Sequence, residues 1–391
     1  MNSALAATIG LILSIILIIK KVSPVYSLIL GALIGGLLAG WGLENTVTEM
    51  ISGIKDITPA IIRILAAGVL TGMLVKTGAA SSISHAIIKK LGAKQIYLAL
   101  ALSAMLLTAI GVFIDVAVIT IAPIALIAGS QLKLSRTKLL VAMIGGGKCG
   151  NIISPNPNSI IAAENFGAPL PSVMAANILP AIIGLLFTIY IIVPLLPKGN
   201  ILQPTEQVEE NKLLPSLWSS VIAPIVTILL LTLRPLFGII IDPLVALSAG
   251  GIVGIIATHN WNKTNECLSY GLGKMSTIAI LLIGTGALAG VIKASTIKDI
   301  LIELLAGWSN GGTIMAPLSG ALMCAATAST TAGATIASAS FAQSILGAGV
   351  AAIWGAAMIN AGSTVLDHLP HGSFFHATGG AVGMDVKERL K

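Results

Sequence analysis

Apolar runs of about 17 to 25 residues recur from one end of the chain to the other, separated by short polar or glycine-rich turns. Each is long enough to cross a hydrocarbon core of about 30 Å as a helix. The pattern predicts spans at 4–19, 25–42 and 59–77, with a polar amphipathic stretch at 44–57 and an amphipathic segment at 81–92. A double apolar run at 95–130 follows. Next comes a stretch at 138–166 that glycines and prolines interrupt, and a strong span from 172 to 196. Residues 197–216, rich in Pro, Glu, Gln and Asn, form the one long polar linker.

Beyond the linker the same order returns: spans at 217–236 and 240–258, a polar stretch at 260–274, a span at 276–293 and an amphipathic segment at 295–307. A double run of small residues at 311–348 and a broken stretch at 349–380 complete it. Gly68, Leu70 and Gly72 align with Gly286, Leu288 and Gly290, and the polar cluster around Pro157 aligns with that around Pro370. The expectation is an all-α polytopic membrane protein of two repeats, residues 1–196 and 217–391, an organisation that marks secondary transporters. In this register nothing in the second repeat matches 172–196, so that repeat is expected to be one helix short, by nature or by truncation.

Composition agrees with lipid as the solvent. Only 9% of the 391 residues are charged, where a soluble domain carries about a quarter. The net charge of +7 would suit a nucleic-acid partner only if the basic residues shared a polar face with aromatic neighbours, and they punctuate the ends of apolar runs instead. If each double run is a re-entrant hairpin that returns to its own side, the first repeat makes an odd number of crossings and the second is inverted. Sixteen of the 22 Lys and Arg then share one side and five the other, with Lys148 in the broken segment. The positive-inside rule makes the crowded side cytoplasmic and places the N-terminus outside a bacterial cytoplasmic membrane. Lys20 and Lys21 follow the first apolar run and no positive side chain precedes it, so it reads as a retained helix and not a signal peptide. Three scattered cysteines give neither a disulfide framework nor a zinc site.

Irregular backbone at membrane depth is tolerated only where it is enclosed by protein or lines a cavity. Four stretches force such irregularity: two hairpin tips and two broken helices. The first tip carries Asp115 among apolar neighbours, readable as a helix cap or as a proton carrier. The first break offers Lys148 and the neutral groups of Asn151, Ser154, Asn156, Asn158 and Ser159, where half-helix N-termini attract anions. Its GGGK run lacks the spacing and Ser/Thr of a phosphate-binding loop. The second tip brings Ser329, Thr330 and Thr331, and the second break Ser363, Thr364, Asp367, His368 and His371. The Asp/His group reads as a titratable pair for proton coupling, as a metal site or as a polar turn. No nucleophile elbow or zinc-protease pattern supports an enzyme, and no cofactor or resident metal is expected.

At these motifs the chain resembles the gluconate permease (GntP) family of proton-coupled sugar-acid transporters, within the wider ion-transporter superfamily. PNPNSIIAAENFGAPL from Pro155 is similar to the family's PPHPGPxAAAxxxGAxx, with Asn156 and Asn158 in place of His and Gly. GSTVLDHLPHGSFF from Gly362 resembles GSxVxSHVNDxGFW, and STTAGATIAS at the second tip resembles GSATVAxxTA. The resemblance implies an elevator motion and proton-coupled uptake of gluconate, a related sugar acid or a hydroxycarboxylate. A cation/proton antiporter on the same architecture is the alternative. The expected partners are the small carboxylate, a coupling proton or sodium ion, the lipid bilayer and a second copy of the chain in a homodimer.

Overall fold

The computed structural model describes residues 2–197, 214–296, 310–370, 373–384 and 386–390, the side chains of 234–236 and 373 apart. Within them the regular structure is helical: α1 (Ser3–Ile19), α2 (Pro24–Leu38), α3 (Gly42–Lys76), α4 (Ala79–Leu91), α5 (Ile96–Ala109), α6 (Ile114–Gln131), α7 (Arg136–Ile152), α8 (Pro157–Asn165) and α9 (Leu170–Leu195). After the linker come α10 (Leu217–Phe237), α11 (Pro243–Ala257), α12 (Thr264–Ala294), α13 (Gly311–Thr327), α14 (Thr330–Gly347), α15 (Ala352–Gly362), α16 (Ser373–Ala381) and α17 (Val386–Arg389). Among the described residues α3, α6, α9 and a helical stretch from Trp261 through α12 are long and apolar enough to cross a membrane. The apolar window of α9 is 28% buried, against 61% for α3 and α12. Its remaining surface is apolar and suits lipid contact.

The sequence pattern divided 44–57 from 59–77 and 260–274 from 276–293. The structure joins each pair into one helix of 35 and 31 residues, about 52 and 46 Å long. Each polar stretch looks like an interfacial segment in sequence but pairs with the far end of the other helix: Asp56 Oδ2 of 44–57 lies 2.7 Å from Lys293 Nζ, and Glu266 Oε1 of 260–274 lies 3.0 Å from Lys76 Nζ.

The chain forms two compact units, each drawing helices from both of its halves. Unit 1 is Met1–Leu65, Pro157–Ala176 and Met275–Gly372; unit 2 is Ala66–Asn156, Asn177–Lys274 and Ser373–Lys391. The core of unit 1 joins Ala7 and Leu11 of α1, Leu28 and Ala32 of α2, Leu288 and Val291 of α12, and Ile336 of α14. Glycine fixes how closely its helices approach. A Cβ at Gly290 would meet Glu49 O at 2.0 Å, and one at Gly53 would meet Gly286 O at 2.1 Å, so α3 and α12 run antiparallel here with their backbones in contact. Small residues permit this approach where lipid supplies no hydrophobic drive between helices.

Unit 2 contains the counterpart. A Cβ at Gly72 would meet Cys267 O at 2.0 Å, and one at Gly271 would meet Gly68 O at 2.0 Å. The glycines aligned by the repeat, 68 and 72 with 286 and 290, thus make the same kind of contact, each pair in its own unit. The seam of α7 against α5 in unit 2, at Gly146 and Gly150, has a similar counterpart in α15 against α13 in unit 1, at Gly362 and Gly320.

Overpacking such a seam costs about 1–3 kcal/mol. Gly290→Val is therefore expected to lower the thermal unfolding temperature in detergent. Gly273→Ala, at a helical position with open space around it, is expected to leave it unchanged or raise stability by about 0.5–1 kcal/mol. Equal behaviour of the two variants would show that the seam does not limit stability.

Candidate functional site

In unit 1, α8 and α14 lie side by side. Thr331 Oγ1 donates to Asn158 Oδ1 at 2.7 Å near the start of both helices, and Asn165 Nδ2 donates to Ser338 Oγ at 2.8 Å further along. Both contacts are seven residues apart on each helix, two turns, so the helices run parallel and in register. Local sequence sets their starting points. Pro157 begins α8, where its missing N–H is no loss and its fixed φ suits the first helical position. Ser329 begins α14 by accepting the N–H of Ala332 at 3.3 Å. Ala328 just before it takes a left-handed conformation, φ +46°, that turns the chain from α13 into α14. That conformation costs an alanine about 1–2 kcal/mol, so the surrounding contacts hold the tip closed.

Parallel register places the two N-termini together. Each presents N–H groups without intrahelical partners and about half a positive charge. Two such ends repel each other and jointly favour an anion. A carboxylate from the chain already stands beside one of them: Thr330 Oγ1, in the first turn of α14, donates to Asp367 Oδ2 at 2.7 Å. Asp367 is 2% exposed, and His368 Nδ1, on a half-exposed side chain, lies 3.7 Å from Oδ1. No residue of α13, α14 or α15 carries a charged side chain. A buried carboxylate needs hydrogen bonds or a counter-charge, and the Thr330 hydroxyl and the α14 dipole provide for it at Oδ2.

Three further hydrogen bonds tighten the site. Asn360 Nδ2 on α15 donates to Ser159 Oγ on α8 at 2.9 Å, with both residues fully buried. Ser363 Oγ donates to Ile359 O and Thr364 Oγ1 to Ala361 O, each at 2.8 Å. Those hydroxyl hydrogens are committed to the backbone, and the oxygens keep acceptor capacity. The structure therefore gathers Asn158, Ser159, Ser329, Thr330, Thr331, Ser363, Thr364, Asp367 and His368 within unit 1. His371 lies outside the described residues.

The remaining predicted residues belong to unit 2. Asn156 Nδ2 donates to Asn151 O at 2.7 Å and to its Oδ1 at 2.6 Å, closing the C-terminal end of α7. Ser154 is fully buried, and its Oγ has no hydrogen-bond partner among the described residues. Lys148 is half-buried on α7. Asp115 stands in the first turn of α6, where the N-terminal dipole favours a carboxylate. The cap position is Phe113, so Asp115 is not a side-chain cap.

Sequence reasoning placed Asn360 in the second broken stretch without giving it a role and missed Asn165 and Ser338; the partner of Asn360 lies 201 residues away, and Asn165 and Ser338 are 173 apart. It also missed the ion pair of Arg63 on α3 with Glu164 on α8, both three-quarters buried. Pattern pointed to the polar runs of 154–159 and 362–368; it held no signal for which side chains in them would pair.

Comparison with known proteins identifies the family. Residues 3–250 match the model of the GntP family permeases, and residues 219–308 match that of a Na+-H+ antiporter family. The chain is 53% identical to an uncharacterized transporter of Haemophilus influenzae over its whole length and 93% of the relative. It is 24% identical to the gluconate permease of Pseudomonas aeruginosa, over 84% of this chain and 78% of that one. In fold it is similar to the crystal structure of the Alcanivorax borkumensis YdaH transporter, described as having an unusual topology. The TM-score is 0.58 at 14% identity, covering 89% of this chain and 86% of the other. With the family model spanning well over half of the chain, and a close relative matching all of it, this protein belongs to the GntP family of permeases and is a multi-pass membrane transporter.

Proposed function

We propose that the protein takes up a small organic anion, gluconate or a related sugar acid or hydroxycarboxylate, together with a proton. The meeting of the α8 and α14 N-termini, with Asp367 beside one of them, carries this reading. When Asp367 is ionised, its own carboxylate compensates the N-terminus of α14 and repels a second anion. Once it is protonated, the positive ends are open to the substrate's carboxylate, while Ser363 and Thr364 accept hydrogen bonds from substrate hydroxyls. Anion and proton then favour each other's binding, which is the linkage a symporter requires. The likeness to a gluconate permease supports the substrate class. The charge asymmetry and the paired glycine seams support inverted repeats with the N-terminus outside, in a bacterial cytoplasmic membrane. A homodimer with an elevator motion completes the reading. In unit 2, Asn151, Ser154, Asn156, Lys148 and Asp115 are the residues of the other break and tip.

A second reading, cation/proton antiport, draws on the match of residues 219–308 to an antiporter family. It predicts proton flux driven by a sodium gradient in the absence of any organic anion.

Uptake of labelled sugar acids into proteoliposomes under an imposed inward proton gradient is the test. Accumulation that a protonophore collapses is the expected result. Failure to accumulate any member of a sugar-acid panel would overturn the proposal. With transport established, Asp367→Asn should lose gradient-driven accumulation by about tenfold or more yet retain exchange of internal for external substrate. Its residual rate should be flat with pH, whereas the native rate falls as external pH rises. Retained accumulation would remove Asp367 from the coupling role.

Asn158→Asp places a fixed carboxylate between the two N-termini. It should raise thermal stability, since an acid there gains about 0.3–1 kcal/mol, and weaken substrate binding by about tenfold or more, because like charges at close range cost several kcal/mol. A stabilised variant with unaltered half-saturation would place the anion elsewhere.

A further inference from the structure

A cavity of about 430 Å³ opens in unit 1 beside the far ends of α8 and α14, lined from α3, α8, α12 and α14. That is room for about fourteen water molecules at about 30 Å³ each, enough for a six-carbon hydroxy acid with water around it. Its polar equipment is independent of the Asp367 site. Lys293 and Asp56 form an ion pair at 2.7 Å on its wall, with side chains 67% and 55% exposed. Asn165, Ser338 and Gln343 add amide and hydroxyl groups. Glu164 also faces the cavity, and Arg63 holds it in the second ion pair.

The two pairs differ in how readily they can open. Arg63 and Glu164 are each one-quarter exposed, and separating a partly buried pair leaves charges poorly solvated. An ion pair as exposed as Lys293–Asp56 contributes little to stability, so an incoming carboxylate can replace Asp56 on the ammonium at little cost. The cavity is also connected in structure to the site above. The Asn165–Ser338 contact on its wall and the Asn158–Thr331 contact at the two N-termini are seven residues apart along the same two helices, about 10 Å.

We propose that this cavity is a peripheral binding site for a small hydroxy acid, in which Lys293 exchanges Asp56 for the solute's carboxylate and Asn165, Ser338 and Gln343 meet its hydroxyls. The class of solute rests on the transport reading above; the exchange of partners at Lys293 rests on the cavity alone. Removing either member of a merely structural ion pair should shift binding in the same direction. Partner exchange predicts opposite directions: Lys293→Gln removes the anion's partner, and Asp56→Asn removes its competitor.

The test uses full-length protein in detergent, with gluconate as the probe and amine acylation of Lys293 read by mass spectrometry. Gluconate is expected to protect Lys293 at concentrations that do not protect Lys55, and to do so equally in an Asp367→Asn background. Asp56→Asn should shift half-protection to about two- to fivefold lower gluconate, the most that removing a weakly held competitor can yield. In proteoliposomes Lys293→Gln should raise half-saturation by a similar factor at an unchanged maximal rate. Protection of Lys293 without uptake would support this site and reject the transport reading. Gluconate uptake without protection, or a shift of the same sign in both variants, would overturn the site and leave the transport reading standing. A thermal unfolding trace for each variant separates these outcomes from misfolding.

Discussion

Two helix N-termini that point the same way and touch must be compensated when water is scarce around them. In this permease the compensation is a carboxylate of the chain itself. Asp367 stands at the start of α14, bonded to Thr330, while Thr331 ties the same turn to Asn158 at the start of α8. α13, α14 and α15, rich in glycine, alanine and hydroxyl side chains, carry no charged side chain. In the proposed mechanism the ionisation of this one buried acid is coupled to whether a second anion can approach. Exposed to solvent, the same dipoles would be screened and the coupling would fade.

The rest of unit 1 keeps these two helix ends in place. The parallel register of α8 and α14 is pinned at both ends by side-chain hydrogen bonds, and Asn360 ties α15 to α8 through Ser159. Beneath these polar contacts, close backbone packing at Gly362 and Gly320 joins α15 to α13, and packing at Gly53 and Gly290 joins α3 to α12. Polar contacts give the site its orientation, and glycine gives the helices around it their spacing. Sliding α15 by a single residue would break both, because Asn360 and Gly362 lie on that one helix.

Much of this could be read from the sequence, and the reason lies in what a membrane imposes. Lipid demands long apolar helices, so spans stand out. It forbids unsatisfied backbone except in enclosed places, so prolines, glycines and polar side chains inside apolar runs marked the stretches containing Asn158, Thr330 and Asp367. The alignment of Gly68 and Gly72 with Gly286 and Gly290 carried through to matching contacts. The segmentation of α3 and α12 did not, because Asp56 and Glu266 look interfacial until their partners Lys293 and Lys76, at the far end of the other helix, are seen. Pairs such as Asn360 with Ser159, or Arg63 with Glu164, join residues 100 to 200 positions apart and leave no periodic trace. They follow from the tertiary fold and could be found only there.

In the proposed mechanism proton and anion favour each other's binding through Asp367 at the N-terminus of α14. Calorimetric titration of the purified protein with gluconate, repeated in buffers of different ionisation enthalpy, measures the protons taken up with each anion bound. Near neutral pH the account predicts uptake of about one proton per gluconate, falling to none in Asp367→Asn. Gluconate binding with no proton uptake in the native protein, or with undiminished uptake in the variant, would contradict it.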